Sequence, residues 1–385
     1  MNRQIGLWVL VCLFFLMATA PVRAGDVPEA LTTFEAATKV IGQKDFSTGG
    51  CSVPSARTMC DPYGETFAHN LLYIADADYN RVLGFKKLPK KNGGKAKFVL
   101  GQSNFSGTNG ATTKSALNFP TAVVAAGTKL FVNDFDNSRV LIWNKLPTKS
   151  NTPASVVVGQ ADFISSAETT TQSGLSFPEA GLAVAGGKLL VADRNNNRIM
   201  IWNTIPTTNG ANADVVVGQP DFTSSDNHLS QTGLNNPEGI WSDGTKLVVA
   251  DFMNNRVLIW NTIPTTNDAP ADVVVGQADF NTADIPNPPT AQSLNRPFGV
   301  VSDGARLFVS DTFNNRVLVY SPFPTSNNPT ASFVLGQGDF THGDSNAGNL
   351  SPSAQTLSNP YGLFINGSQL IVSDFNNARV LIFGI

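Results

Sequence analysis

The stretch Leu247-Val-Val-Ala-Asp251-Phe-Met-Asn-Asn-Arg256-Val-Leu-Ile-Trp260 decides how this 385-residue chain folds. Two apolar runs of branched and aromatic residues, which favour β-strands, flank four residues that end in Asn-Asn. Asparagine tolerates the left-handed backbone of a tight turn, so the stretch predicts a β-hairpin. Asp251 and Arg256 would then lie opposite each other, where unlike charges attract, and we interpret both as structural residues.

The same stretch occurs six times, at intervals of 58, 59, 58, 60 and 63 residues. The predicted structural pairs are Asp76 and Arg81, Asp134 and Arg139, Asp193 and Arg198, Asp251 and Arg256, Asp311 and Arg316, and Asp374 and Arg379. A proline precedes each aspartate by fourteen or fifteen residues, and an apolar strand ending in Gly-Gln follows. Each repeat therefore predicts a four-stranded sheet, and the nearly continuous apolar strands indicate that both faces are buried, as in a β-propeller blade.

The two ends of the chain predict how the propeller closes. The repeats span approximately 62–102, 120–160, 178–219, 237–277, 297–337 and 360–385, and the last one lacks its fourth strand. Residues 36–43 form an additional fourth strand ahead of the first repeat. Pairing this strand with the segment around Leu381 would remove two exposed sheet edges. We therefore expect an all-β fold, a single six-bladed propeller closed by an N-terminal strand.

Residues 1–24 are typical of a secretory signal peptide. Arg3 precedes an apolar run, residues 5–18, which is short for a membrane span, and small residues lead to a cleavage site after Ala24. Cleavage removes Arg3 and Arg23 and takes the formal net charge from −3 to −5. We expect residues 25–385 to be exported to the periplasm or the extracellular space as a monomer, without membrane insertion. A mildly acidic chain also argues against a nucleic-acid partner.

Cys51 and Cys60 are the two cysteines that remain after the signal peptide, which contains Cys12, has been removed. An even number of cysteines in an exported chain predicts a disulfide between them. The alternative, a metal or redox pair, favours a shorter Cys-x-x-Cys spacing.

The repeat, Pro-x-Gly followed by Leu-Phe-Val-Ala-Asp-x-x-Asn-Asn-Arg-Val, resembles the NHL repeat over nearly the whole mature chain. It departs from that family at the histidine, where Asn or Ser stands here. The resemblance implies a propeller of the TolB-like/NHL superfamily and no single function. It extends to propeller lyases whose metal-bound histidines line the channel, but His69, His228 and His342 do not form such a set in the sequence.

Residues that differ between blades near the channel are the candidate binding residues. One ring follows the prolines and consists of Tyr63, Thr121, Glu179, Glu238, Phe298 and Tyr361. A second ring follows the aspartates and consists of Ala77, Phe135, Arg194, Phe252, Thr312 and Phe375. In a closed ring, the aromatic residues of blades 5, 6 and 1 face the two glutamates of blades 3 and 4. This arrangement would suit a ligand with a flat apolar part and a cationic group.

Two other uses of the glutamates remain open at this point. Glu179 and Glu238 could hold a divalent cation such as Ca²⁺, or Arg194 could neutralise Glu179. Catalytic motifs such as Gly-x-Ser-x-Gly and His-Glu-x-x-His do not occur. We predict a non-catalytic scaffold, without cofactor, that binds a protein, peptide or saccharide at its channel mouth. The alternative is a metal-dependent lyase or a lactonase-type hydrolase.

Two further features of the sequence are a motif that recurs in the repeats and a lysine cluster that occurs in the first repeat alone. The Gly-Gln strands continue into Gln-x-Asp-Phe, whose phenylalanine we interpret as core between neighbouring blades. A lysine cluster occupies the turn after the third strand of the first blade, at Lys86, Lys87, Lys90, Lys91, Lys95 and Lys97. We interpret it as a solvated turn, with an anionic partner as the alternative.

Overall fold

The computed structural model describes residues 31–385, so the predicted signal peptide lies outside the described residues. Strand β1 (Lys39–Ile41) comes first in the chain and belongs to the last blade. Blade 1 consists of β2 (Pro62–Ala68), β3 (Leu71–Asp76), β4 (Arg81–Phe85) and β5 (Phe98–Leu100). Blade 2 consists of β6 (Pro120–Ala126), β7 (Lys129–Asp134), β8 (Arg139–Trp143) and β9 (Val156–Val158). Blade 3 consists of β10 (Leu182–Ala185), β11 (Lys188–Asp193), β12 (Arg198–Trp202) and β13 (Val215–Val217).

The remaining three blades repeat this order. Blade 4 consists of β14 (Pro237–Ser242), β15 (Leu247–Asp251), β16 (Arg256–Trp260) and β17 (Val273–Val275). Blade 5 consists of β18 (Pro297–Ser302), β19 (Leu307–Asp311), β20 (Arg316–Tyr320) and β21 (Phe333–Leu335). Blade 6 consists of β22 (Pro360–Asn366), β23 (Gln369–Asp374), β24 (Arg379–Gly384) and β1. Short 3-10 helices occur at Phe135–Asn137, Arg194–Asn196, Phe252–Asn254, Thr312–Asn314, Ser345–Gly348 and Phe375–Asn377.

The ring closes through β1, as predicted. This strand pairs antiparallel with β24, and Val40 lies opposite Leu381. The pairing completes the sixth four-stranded antiparallel sheet, so the prediction of an all-β, six-bladed propeller is confirmed. In the part of the chain from 31 to 385, no helix has the length and apolar character needed to cross a membrane.

The antiparallel order gives the disc two distinct faces. The Asp-Arg hairpin between the second and third strands lies on one face, together with the connections between blades, and we call it the hairpin face. The turns between the first and second strands and between the third and fourth strands lie on the other, which we call the turn face. The backbone N–H of Ile263 donates to the carbonyl of Thr245 at 2.6 Å, so the two turns of blade 4 are in contact there. The first strand of each blade is innermost and lines the channel.

The apolar core lies between neighbouring blades. The phenylalanine of each Gln-x-Asp-Phe segment, which reads Gln-x-Asn-Phe in blade 1, is half-buried and packs against the cluster shared by its own blade and the preceding one, which confirms its interpretation as inter-blade core. These residues are Phe46, Phe105, Phe163, Phe222, Phe280 and Phe340. Buried apolar area of this kind is the main stabilising term in such a fold.

The six Asp-Arg pairs are fully buried within each hairpin. In every pair the arginine Nε donates to the aspartate Oδ2 at 2.7 Å, and both side chains have no exposed surface. A second nitrogen of each arginine, Nη1, donates to the carbonyl of the inter-blade phenylalanine, as in Arg198 to Phe222 at 2.5 Å. Burial raises the pKa of each aspartate, while the neighbouring arginine opposes that shift. The pairs therefore join hairpin, loop and core, which is a structural role.

Cys51 and Cys60 form a disulfide, as predicted, with their Cα atoms 4.7 Å apart. The bridge closes part of the connection from β1 to β2. It therefore restrains the segment in which the chain passes from the last blade to the first.

Candidate functional site

The aspartates also position the entry of the chain into the innermost strands. In blade 4, Asp251 Oδ1 accepts the backbone N–H of Asn235 at 2.7 Å, two residues before Pro237. The residue between them, Asn236, has a φ of 49°, and the residue before the proline is left-handed in every blade. This geometry directs the residue after each proline toward the channel axis. It brings the two predicted rings together at the hairpin face.

Three aromatic side chains of the first ring fill the mouth of the channel. Phe298 and Tyr361 stack with ring centroids 4.1 Å apart and planes inclined by 13°. Tyr63 meets Tyr361 edge to face at 4.9 Å and Phe298 at 5.8 Å. Tyr63 and Phe298 are only 6% and 2% exposed. Phe375 of the second ring stacks on the other side of Tyr361 at 4.2 Å.

The two glutamates meet these rings and do not face them across open space. Glu238 is 1% exposed and Glu179 is 9% exposed. The hydroxyl of Tyr63 donates to Glu179 Oε1 at 3.1 Å. Arg194 Nε lies 2.8 Å from Glu179 Oε2 and 2.6 Å from Glu238 Oε1. The expected open mouth between an aromatic and an acidic arc is therefore replaced by a closed plug, because Arg194 bridges the carboxylates and Tyr63 reaches across the axis.

Burial and neighbouring charges shift the pKa values of three residues at the plug, Tyr63, Glu238 and Arg194. Burial, followed by the negative charge of Glu179, raises the pKa of Tyr63, so its hydroxyl remains a donor. Burial also raises the pKa of Glu238, with a further contribution from Glu179, while Arg194 opposes it. Burial lowers the pKa of Arg194, but the two carboxylates outweigh it and raise that pKa overall. The guanidinium is the cation that this acidic pair holds.

Blade 3 contains one residue more than the other blades between its proline and its hairpin aspartate. Pro178 precedes Asp193 by fifteen residues, and β10 begins only at Leu182. The side chains of Thr121 and Asn133 donate to the carbonyl of Glu179 at 2.6 and 2.8 Å. Sequence reasoning missed Asn133, although it stands where most blades have Ala or Ser before the hairpin aspartate.

A rim of less buried aromatic rings surrounds the plug on the hairpin face. We define it by its members, Phe119, Phe135, Phe177, Phe252 and Phe313, together with Arg296. Phe135 lies 5.9 Å from Phe119 and 5.0 Å from Phe177, while Phe252 lies 6.1 Å from Phe313, which is 42% exposed. The guanidinium of Arg296 stands 4.8 Å from the centroid of Phe313.

Four of the six residues of this rim were missed at the level of sequence, among them Phe313, which lies two positions after Asp311. Phe135 and Phe252 follow hairpin aspartates and belong to the predicted second ring. Phe119, Phe177 and Arg296 directly precede the prolines, a position that also differs from blade to blade but was not considered. Two other members of the second ring, Ala77 and Thr312, are buried and belong to the packing beneath the rim, while Arg194 and Phe375 contact the plug.

Behind the plug, the channel is a cavity of about 330 Å³. Tyr63 and Phe298 form its closed end, and it extends along the innermost strands toward the turn face, past Ser242 and Ile365. Glu65 also borders it, although its side chain is directed toward blade 6, where Ser373 Oγ donates to Glu65 Oε2 at 2.6 Å. Neither Glu65 nor Ser373 was singled out from the sequence.

The histidines do not assemble a metal site. His69 lies on the turn face, with Nε2 3.0 Å from the carbonyl of Gly127, whereas His228 and His342 are exposed in connections between blades. Within residues 31–385, the only group of three or more ligating side chains consists of Cys51, Cys60 and Asp61. Both cysteines of that group are engaged in the disulfide.

Comparisons with known proteins do not assign the chain to a family or an activity. No protein-family model matches the chain, and no curated protein matches it either. Similar solved structures include the computationally designed Ika8 protein, at 10% identity and a TM-score of 0.40, which covers 84% of this chain and 71% of that one. They also include the virginiamycin B lyase from Staphylococcus aureus, at 13% identity and a TM-score of 0.40, with 86% and 98% covered.

A catalytically inactive variant of that lyase with quinupristin is similar at 11% identity and a TM-score of 0.44, covering 90% of this chain and 98% of that one. Similarity at this level carries no argument about activity. Membership of the NHL-repeat family therefore stays a prediction from the repeat.

Proposed function

We propose that this protein is an exported, non-catalytic binding module that presents its hairpin face to a saccharide, a peptide or a protein. The observation that carries the proposal is the rim of partly exposed aromatic rings around a closed, buried plug. Export follows from the interpretation of residues 1–24, and an intramolecular disulfide is compatible with an oxidising compartment.

The rim is suited to binding because its rings are held in place before a ligand arrives. Each ring contacts a neighbour, as in the pair of Phe135 and Phe177 at 5.0 Å. Aromatic side chains with few rotatable bonds lose little conformational entropy on binding and offer flat apolar area. Arg296 adds a cation beside Phe313, so a ligand with flat apolar faces and an acceptor or acidic group fits this surface.

The metal-dependent alternative has weaker support. Its cation would have to take the place of the Arg194 guanidinium, which already bridges Glu179 and Glu238. Burial raises the pKa of Glu238 and Arg194 opposes that shift, so a metal ion would have to replace the positive charge that this guanidinium supplies. No observation within the described residues favours this alternative over binding at the rim.

A ligand screen with rim variants tests the proposal. Thermal shift against glycans and peptides identifies ligands of the wild type, and Phe135→Ala and Phe313→Ala are then compared with Ile164→Ala. Ile164 is 76% exposed and lies outside the rim, so it is a matched control for loss of apolar area. Loss of an aromatic anchor typically weakens binding by more than 1 kcal/mol, or roughly fivefold.

We expect the two rim variants to weaken binding by at least that factor and the control to bind like the wild type. Ligands that bind all three variants equally would place the site elsewhere. Binding that is abolished by a chelator and restored by Ca²⁺ would instead favour the metal-dependent alternative.

A further inference from the structure

The turn between the third and fourth strands of blade 1 carries a concentrated positive charge that the fold does not require. Residues 86–97 contain six lysines and no acidic residue, and the equivalent turn of blade 2, residues 144–155, contains Lys145 and Lys149. These eight are more than half of the chain's fourteen lysines. They contribute +8 to a chain whose formal net charge is −3, so the remainder carries −11.

The other blades show that the lysines are not required to form the turn. The equivalent turns of blades 3, 4 and 5, residues 203–214, 261–272 and 321–332, contain no lysine or arginine. The shared residues are those with a structural role, such as Asn92, whose Oδ1 accepts the N–H of Val40 at 3.2 Å. Asn209 accepts from Val157 in the same way at 3.1 Å.

One of the lysines even replaces a residue that stabilises the turn elsewhere. Asp214 Oδ2 accepts the backbone N–H of Asn203 at 2.7 Å, and Asp272 accepts from Asn261 at the same distance. The equivalent residue of blade 1 is Lys97, which has no acceptor to offer. The lysine turn is therefore stabilised by one hydrogen bond fewer, while its like charges repel each other.

The ammonium groups are available to a partner. All eight lysines are exposed. Among the residues that the structure describes, none of the eight lies within 4.0 Å of a carboxylate. The two turns are neighbours, since the N–H of Val99 in blade 1 donates to Ser150 Oγ in the turn of blade 2 at 3.1 Å. Each turn begins and ends at the turn face, and its middle part packs along the outer edge of the disc, where Gly93 N–H donates to the carbonyl of Val40 and Ala154 N–H to that of Lys114.

We propose that these two turns form a docking surface for a membrane that contains anionic lipids. Lysine ammonium groups act as point charges and provide no bidentate geometry for a particular ligand. The two turns contain no arginine or aromatic residue with which to stack nucleotide bases, and the arginine beside them, Arg57, donates to the carbonyl of Gly93. Exposed neighbouring turns can reach a plane of headgroups together, and each lysine near such a surface contributes about 1 kcal/mol, or roughly fivefold in affinity.

Docking through the outer edge of blades 1 and 2 would leave the centre of the hairpin face uncovered. The rim would then be accessible to its own ligand. The docking surface does not depend on the rim, and the two can be tested separately.

The turn of blade 3 supplies the variant for the test. Lys86→Asn, Lys87→Thr, Lys90→Thr, Lys91→Thr and Lys95→Asn introduce the residues that this blade has at the equivalent positions, so the turn is expected to fold. Co-sedimentation of the mature chain with vesicles of phosphatidylcholine, alone or with about a third phosphatidylglycerol, measures binding at ~0.1 M salt, where screening acts over about 10 Å.

We expect the wild type to bind only the anionic vesicles. The variant with five substitutions should bind them at least about 100-fold more weakly, since each lysine contributes roughly fivefold in affinity. A smaller pair, Lys90→Thr with Lys91→Thr, should lose about 25-fold by the same rule. Its control, Lys188→Thr with Lys246→Thr, removes the same charge from the turn face of blades 3 and 4 and should bind like the wild type. Equal melting temperatures establish that all variants are folded.

Three outcomes would overturn the proposal. The wild type could fail to bind anionic vesicles at this salt concentration. The variant with five substitutions could bind them as well as the wild type does. The wild type could also bind a soluble acidic polysaccharide or DNA through these lysines while leaving anionic vesicles unbound, which would assign the patch to a polyanion.

Discussion

Glu65 makes the stability of the ring depend on pH, and Glu65→Gln tests this directly. The side chain is 5% exposed and lies between blades 1 and 6, where the ring closes. Ser373 donates to Oε2, while Oε1 is buried without a hydrogen-bond partner. Burial raises the pKa of Glu65 to about 8, and the hydrogen bond from Ser373 opposes this shift.

The sign of the effect follows from the raised pKa. Below the unfolded value of 4.5 the carboxyl is protonated in both states and its contribution to stability is fully present. As the pH rises toward about 8, the unfolded chain releases the proton while the folded chain retains it, so that contribution is lost. Each pH unit in this window costs about 1.4 kcal/mol, which amounts to roughly 5 kcal/mol over the whole window.

Urea unfolding of the wild type and Glu65→Gln between pH 5 and 9 measures this cost. The difference between the two free energies of unfolding isolates Glu65, because every other group titrates in both proteins. We expect the wild type to lose stability relative to the glutamine variant up to about pH 8 and the difference to level off above it. Ser373→Ala should move that plateau to higher pH, because it removes the hydrogen bond that lowers the pKa.

A difference that stays the same at pH 5 and pH 8.5 would refute the reasoning. It would mean that Glu65 titrates alike in the folded and unfolded chains. Its buried oxygen would then have found a partner or water on ionisation.

Further predictions concern the pairs, the disulfide and the closure. Arg198→Leu leaves the buried carboxylate of Asp193 unpaired and should cost about 3–5 kcal/mol in urea unfolding, whereas Arg306→Leu, which removes a partly exposed pair with Asp303, should cost less than about 1 kcal/mol. Equal losses would contradict the structural role of the hairpin pairs. Cys51→Ser with Cys60→Ser should cost about 2–3 kcal/mol by the loop-entropy model, and two free thiols by mass spectrometry of the non-reduced wild type would remove the premise. Deletion of residues 25–46 exposes the edge of β24 and should cause aggregation or loss of cooperative unfolding, and a truncated protein that melts like the mature chain would contradict closure by β1.

The sequence alone determined the blades, their number and the closure of the ring. These features depend on interactions that recur at a constant interval, such as the opposition of Asp251 and Arg256 and the apolar strands beside them. The last repeat lacks a fourth strand after Leu381, and the strand around Val40 supplies it, so the closure of the ring is also visible in the repeat pattern. Because the pattern recurs about every sixty residues, contacts within a blade and between neighbouring blades can be recognised from a single sequence.

Only the tertiary structure decided what stands at the channel mouth. Tyr63 and Glu179 are separated by 116 residues and two blades, and their hydrogen bond depends on distances across the axis that no repeat encodes. Arg194 bridges Glu179 to Glu238, and this pairing matters because burial of two unpaired carboxylates would be costly. The sequence could name the residues around the mouth, but whether they leave it open or close it is a matter of side-chain packing in three dimensions.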